Sequence, residues 1–238
     1  MKLVLDIGNT CIKYALFNGN AMVELGNFSH IDLFLDKKKL LDKVTSIVAA
    51  SVTTLHEIIQ SKLSHIPFRV FTPRSATPLI NKYESPDSLG TDRILASVGS
   101  YLLYPNTNVL TIDAGTCIKY NFVNQQNEFV GGAISPGFQM RLKALHEYTS
   151  ALPLIAADFN YDKLTGTNTR DSILSGVLTA TALEVEAVIT QYKIKYPDLI
   201  VGLTGGDAAY LGKQLKNRFF TEPNLILNGL NSIQFHDR

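Results

Sequence analysis

Apolar residues gather along this chain in short runs divided by turn signals. Lys2–Ile7 is an apolar run rich in strand formers, and Ile12–Phe17 is another. Gly8-Asn9 between them is a hairpin-turn signal. Asn18-Gly19-Asn20 marks a second turn, and Ala21–Leu25 predicts a third strand. Ile31–Val44 then carries Leu33, Leu40, Leu41 and Val44 at helical spacing. Ser46–Ser51 reads as a buried strand, Thr54–Leu63 as a helix and Phe68–Phe71 as a strand. A connection rich in proline follows (Pro73, Pro78, Pro86), then a helix over Asp92–Tyr104 that Pro105 stops.

The second half opens in the same way. Val109–Ile112 and Cys117–Val123 predict two strands about a turn, and Glu128–Ile134 predicts a third. Phe138–Glu147 predicts a helix after Pro136-Gly137, and Thr169–Tyr192 a long helix without proline. Leu199–Leu203 reads as a strand, Asp207–Leu215 as a helix and Asn224–Leu227 as a strand. Each half thus reads βββ-α-β-α, a mixed α/β layer plan.

The word TCIKY occurs twice, at Thr10–Tyr14 and Thr116–Tyr120, and its surroundings match as well. LDIGNT corresponds to IDAGT with one gap, since Asp6 stands four residues before its threonine and Asp113 three before its own. A period of roughly a hundred residues is too long for a solenoid unit and points to two related half-domains.

Composition narrows the reading. The chain has 238 residues, 45% hydrophobic and 18% charged, with a net charge of +1. That balance is globular and supplies no basic field for a nucleic acid. Lys37-Lys38-Lys39 is flanked by Asp36 and Asp42 and reads as a solvated helix face. No apolar run reaches the length of a membrane span, and the start lacks the cleavage pattern of a signal peptide. The expected compartment is the cytoplasm, with no membrane partner. Cys11 and Cys117 hold equivalent places in the repeat and read as small packed strand residues, and the five histidines form no ligand spacing.

A turn written Asp-x-Gly-x-Thr after a buried strand gathers useful groups. Glycine lets a ligand approach the backbone, successive N–H groups form an anion nest, and aspartate can hold a divalent cation or its waters. That is the chemistry of a nucleotide polyphosphate. One such turn is a common structural device, but two in a duplicated frame point to phosphates gripped from both sides of a cleft. In LIVGLTGGDAAYL, Gly205-Gly206 at a strand-to-helix junction leaves room for a flat ligand such as adenosine, while Asp207 could equally be a helix N-cap. Asp92 has the same two readings, an N-cap or a functional carboxylate beside Arg93. Lys13 and its counterpart Lys119 can each be a solvated lysine on a strand face, and Lys119 reads so. There is no P-loop motif.

Six motifs together carry a resemblance. They are DIGNT (Asp6–Thr10), SLGTDR (Ser88–Arg93), DAGT (Asp113–Thr116), GGAISPG (Gly131–Gly137), NTRDSILSG (Asn168–Gly176) and TGGD (Thr204–Asp207). In this order, over nearly the whole chain, they resemble the type III pantothenate kinases of the actin, Hsp70 and sugar-kinase superfamily. One departure is Cys117, where the family more often has alanine. The resemblance implies a duplicated ribonuclease H-like (actin-like ATPase) α/β fold. Its two mixed-sheet half-domains, 1–106 and 107–238, would carry flanking helices around a nucleotide cleft.

The resemblance also implies ATP-dependent phosphorylation of pantothenate. Asp92 would be the catalytic base, with Tyr83, Gly90, Thr91, Asp92, Arg93 and Thr169 on pantothenate. Asp6, Ile7, Gly8, Asn9, Thr10, Cys11, Ile12 and Lys13 would form the first phosphate loop, and Thr116, Gly205 and Gly206 would also touch ATP. Asp6 would serve magnesium through water, and Asp113 would ligate potassium or ammonium. A homodimer is implied too; the apolar residues Ala180, Ala182, Leu183, Val185 and Val188 of the long helix could serve a dimer or a core. The rival readings are another small-molecule kinase of the superfamily and a regulatory protein that binds ATP without turnover.

Overall fold

A computed structural model describes residues 1–8, 11–51 and 53–233. The chain divides into two compact units. The first holds Met1–Pro105, Asn127–Phe129 and the segment from Asn224 onward; the second holds Asn106–Gln126 and Val130–Pro223. The chain passes from the first unit to the second at Pro105-Asn106 and returns to the first at Asn224.

In the first unit the strands are β1 (Lys2–Ile7), β2 (Ile12–Asn18), β3 (Ala21–Phe28), β4 (Ser46–Ser51) and β5 (Phe68–Val70). They form a sheet in the order β3-β2-β1-β4-β5, antiparallel through the first three and parallel from β1 to β5. Leu3, Leu5, Ile7, Ile12, Tyr14, Leu16, Ile47 and Ala49 alternate onto one face and build an apolar core. Helices α1 (Ile31–Leu35), α2 (Lys38–Leu41) and α3 (Leu55–Lys62) add Phe34, Leu40 and Ile59 to it. The predicted single helix over Ile31–Val44 is therefore two short ones. Phe34 and Leu40, six apart, do not share a helix face, and the break at Asp36-Lys37 lets both enter the core.

The first unit also contains β6 (Ile80–Asn81), α4 (Thr91–Leu103) and α9 (Leu225–Ser232). The α4 and α9 helices cross at glycines: a side chain at Gly99 would run into the Leu225 carbonyl, and one at Gly229 into the Leu95 carbonyl. The strand expected at Asn224–Leu227 is thus the start of a helix. Leu225, Leu227 and Leu230 bury along it, a periodicity that a three-residue apolar run cannot reveal.

The second unit repeats the plan with β7 (Val109–Ala114), β8 (Cys117–Val123), β9 (Glu128–Pro136, in this unit from Val130), β10 (Ile200–Thr204) and β11 (Phe220–Thr221). The six-stranded sheet runs β6-β9-β8-β7-β10-β11, and from β9 to β11 it matches the first sheet strand for strand, with β6 added at the β9 edge. Leu110, Ile112, Ala114, Ile118, Tyr120, Phe122, Val201 and Leu203 form one apolar face. The helices here are α5 (Phe138–Glu147), α6 (Thr169–Leu174), α7 (Ala180–Lys195) and α8 (Ala208–Gln214), with a π-turn at Ser175–Thr179 joining α6 to α7. The helical stretch Thr169–Lys195 is long and apolar enough to cross a membrane by length and composition. Its Ile173, Leu174, Val177, Leu178, Ala182, Val185 and Ile189 are core residues of this unit.

Candidate active site

The two repeated turns share a backbone device. Gly8 N–H donates to the Cys11 carbonyl and Gly115 N–H to the Cys117 carbonyl, both at 3.1 Å. Cross-strand register repeats as well: Asp6 lies opposite Lys13, and Asp113 opposite Lys119. Asn9 and Thr10 of the first turn lie outside the described residues. Asp6, next to last in β1, is half-buried, and Lys13 is exposed. The side chains of Ile7 and Ile12 are buried in the core, so only their backbone can meet a ligand, and Cys11 is half-buried.

In the second unit two other motifs converge on the DAGT turn. Gly137 N–H, ending GGAISPG, donates to the Thr116 carbonyl at 3.1 Å, and a side chain at Gly137 would run into the Gly115 carbonyl. From the other side, Asp207 N–H of TGGD donates to the Ala114 carbonyl at 3.0 Å. Gly205 has φ +93°, a conformation that favours glycine, and a side chain there would meet the same carbonyl. By contrast, an added Cβ at Gly115 or Gly206 meets nothing within 4 Å. Thr116 is exposed beside this open space. Asp207 takes the N-cap position of α8, but its side chain makes no capping hydrogen bond, and desolvation raises its carboxyl above the usual range.

A brace behind GGAISPG escaped sequence reasoning. Arg141 of α5 pairs with Glu184 of α7 at 2.8 Å, Ser135 donates to the same carboxylate at 3.0 Å, and Arg141 Nε donates to the Pro136 carbonyl at 2.8 Å. Nothing local in the sequence joins residues so far apart. Lys119 also differs from its expected solvated place. Its Nζ lies 2.8 Å from Asp113 Oδ2, with side-chain exposures of 22% and 11% for the pair. The signal was the hairpin itself, because pairing about the Ala114–Ile118 turn puts position 119 opposite 113.

In the first unit, Gly90 is the N-cap of α4, so Asp92 is a first-turn residue and not the cap. Asp92 Oδ1 accepts from Arg93 N–H at 2.9 Å, and a Cβ at Gly90 would stand 2.6 Å from that oxygen. Thr91 and Arg93 are buried, and Asp92 is half-buried. The Arg93 guanidinium lies over two rings, 5.4 Å from Tyr83 and 5.8 Å from Phe129. Tyr83 is set there by β6, whose Ile80 and Asn81 pair with Glu128 and Phe129. Tyr83, Gly90, Thr91, Asp92 and Arg93 are thus assembled as one constellation. Thr169, at the start of α6, belongs to the second unit; it is exposed and borders a cavity of about 830 Å³ with Arg141, Leu145, Ile173 and Val177.

Two units of the same βββ-α-β-α plan, each with a glycine turn after its first strand, define the duplicated ribonuclease H-like fold of actin-like ATPases and sugar kinases. Solved structures agree on the fold. A chain described as a Baf family transcriptional activator from Campylobacter jejuni superposes with a TM-score of 0.66 at 21% identity, covering 97% of this chain and 96% of that one. One described as an N-acetylmannosamine kinase from Listeria monocytogenes superposes with a TM-score of 0.56 at 14% identity, covering 97% of each. Within this class the family model for type III pantothenate kinase matches residues 2–191. A type III pantothenate kinase of Flavobacterium johnsoniae is 39% identical over 236 residues, covering 97% of this chain and 96% of the relative. The chain belongs to the type III pantothenate kinase family.

Proposed function

We propose that the chain transfers the γ-phosphoryl group of ATP to the primary hydroxyl of pantothenate, giving 4′-phosphopantothenate and ADP, the first step of coenzyme A biosynthesis. The observation that carries this is the family match across most of the chain. In this reading Asp92 takes the hydroxyl proton as the oxygen attacks the γ-phosphorus and ADP leaves. Arg93, braced by Tyr83 and Phe129, and the backbone of Gly90 and Thr91 position the acceptor. Thr169 is assigned to the acceptor as well, a role supported by the family match that includes it.

The first loop, Asp6–Lys13, and the DAGT turn with Thr116, Gly205 and Gly206 bind ATP. Support comes from the open space over Gly115 and Gly206, where phosphate oxygens could reach backbone N–H groups. Among the described residues, no group of three or more His, Cys, Asp or Glu side chains could hold a metal. A magnesium ion arriving with a polyphosphate needs only one or two carboxylates, which Asp6 fits, and it would neutralise phosphate charge there. The potassium or ammonium ion expected at Asp113 fits poorly, because Lys119 already pairs with that carboxylate. The enzyme acts in the cytoplasm as a homodimer in this reading. Leu183 supports a helix face open to a second copy by being 55% exposed, while Ala182 and Val185 serve the core.

The test is ADP release with pantothenate against a panel of sugars and polyols. Turnover that depends on pantothenate is expected. ATP binding without turnover would favour the regulatory rival, and a preferred sugar would favour another kinase of the superfamily. Light scattering of the purified protein checks the dimer.

A further inference from the structure

We infer that the Lys119 ammonium is a built-in monovalent cation for the DAGT turn, so that turnover needs neither potassium nor ammonium. The inference rests on the kinase reading above and replaces the ion expected at Asp113.

Sequence sets the pair. The β7–β8 register places Lys119 directly opposite Asp113, and cross-strand partners project to the same face. Asp113 is flanked on its other side by Thr204 of β10, in register. The neighbouring residues of that face are Thr111, Asn121 and Gly202, all small or polar, and Thr111, Asn121 and Thr204 are buried. Lysine is the one cationic side chain in this row. Its ammonium approaches Asp113 Oδ2 to 2.8 Å, while the exposed fraction is 22% for the lysine side chain and 11% for the aspartate.

An ammonium head and a free ammonium ion present the same charge and the same N–H donors. Potassium, of similar size, competes for the same oxygens. With the pair formed, the Asp113 carboxylate already has a positive counter-charge at 2.8 Å. A further cation at Asp113 would face the Lys119 ammonium at short range in a poorly hydrated place, where like charges repel strongly. It could bind only by displacing the lysine and leaving that charge unpaired, which is costly when partly buried. The first unit offers a control within the chain, since Lys13 holds the same register against Asp6 but is exposed.

The experiment uses the full chain, Lys119→Ala and Lys119→Met. Initial rates with MgATP and pantothenate are measured in tetramethylammonium, sodium, potassium and ammonium chlorides at equal ionic strength, and melting is followed in the same salts. Ionic screening is then equal, so wild-type rates are expected to agree within about twofold across the four salts. Lys119→Ala opens room for an ion beside an unpaired carboxylate. It should lose roughly tenfold or more in tetramethylammonium, recover in ammonium or potassium, and melt higher in those salts. Lys119→Met fills the room with an uncharged stem and should not recover.

Activation of the wild type fivefold or more by potassium or ammonium (about 1 kcal/mol) would overturn the inference. So would a folded Lys119→Ala that neither salt rescues or stabilises. If Lys119→Ala does not fold, the wild-type salt panel alone decides. Absence of turnover with pantothenate in every salt would sink the kinase reading instead, and the melting data would still judge the cation claim.

Discussion

Gly115→Ala separates the ligand role of the DAGT turn from its structural role. An added Cβ at this position meets no protein atom within 4 Å, and the residue does not occupy the left-handed region. The N–H that donates to the Cys117 carbonyl is kept. Folding should therefore be unharmed, and loss of glycine freedom in the unfolded chain should even add about 0.4–1 kcal/mol of stability. ATP is affected differently. A methyl group over the nest would hold a phosphate away from at least one N–H, and a hydrogen bond to a charged group is worth roughly 1.5–3 kcal/mol. The expected cost is roughly ten- to a hundredfold in Kd. Titration calorimetry with a non-hydrolysable ATP analogue reads the affinity, and urea denaturation reads the stability. The neighbouring Gly137→Ala supplies the contrast, because its side chain would run into the Gly115 carbonyl and should destabilise the turn itself. If Gly115→Ala binds the analogue as tightly as wild type, phosphates do not approach this backbone, and the DAGT turn is only a strand connection.

Three further changes test other parts. Asp92→Asn keeps the acceptor for Arg93 N–H but cannot take a proton; kcat should fall ~10²–10⁴-fold with ATP affinity retained, and near-normal kcat would remove Asp92 as base. Gly99→Ala should lose about 1–3 kcal/mol in urea denaturation as α9 is pushed from α4, and an unchanged midpoint would contradict the close helix crossing. Asp207 is raised by desolvation in the folded state, so its contribution to stability is full below the unfolded carboxyl value and fades as pH rises through the folded one. The melting temperature of Asp207→Asn relative to wild type should therefore be higher at about pH 8 than at about pH 4, and an equal difference at both would refute the buried-carboxyl account.

Much of the frame was legible because it is written in local signals. The paired strands about Gly8 and Gly115 follow from apolar runs broken by turn residues, and the repeated word fixed their equivalence. The α9 helix was not legible. Leu225-Ile226-Leu227 is as good a strand as a helix until its partner is known, and the partner is Gly99, far away in sequence. At the site, the glycine turns and the first turn of α4 could be read from residue type and spacing. The Arg141–Glu184 brace and the stacking of Arg93 on Phe129 could not, since each joins elements that only the folded sheet brings together.

The Asp–Lys pairs show how far a repeated sequence determines repeated chemistry. Register gives both units the same cross-strand neighbours, Asp6 with Lys13 and Asp113 with Lys119. Register is a property of the hairpin, and the hairpin is what the duplicated residues encode. Burial is a property of what packs over the hairpin, and there the units differ: Lys13 is exposed, whereas Lys119 is largely covered and paired. An exposed ammonium exchanges freely between water, ions and a phosphate, and a surface pair has a worth of about 0–1 kcal/mol. A covered one is held to its carboxylate, because separating the charges there strands both. Burial, not register, therefore decides whether the lysine of the repeat stays mobile in solvent or is held against a carboxylate.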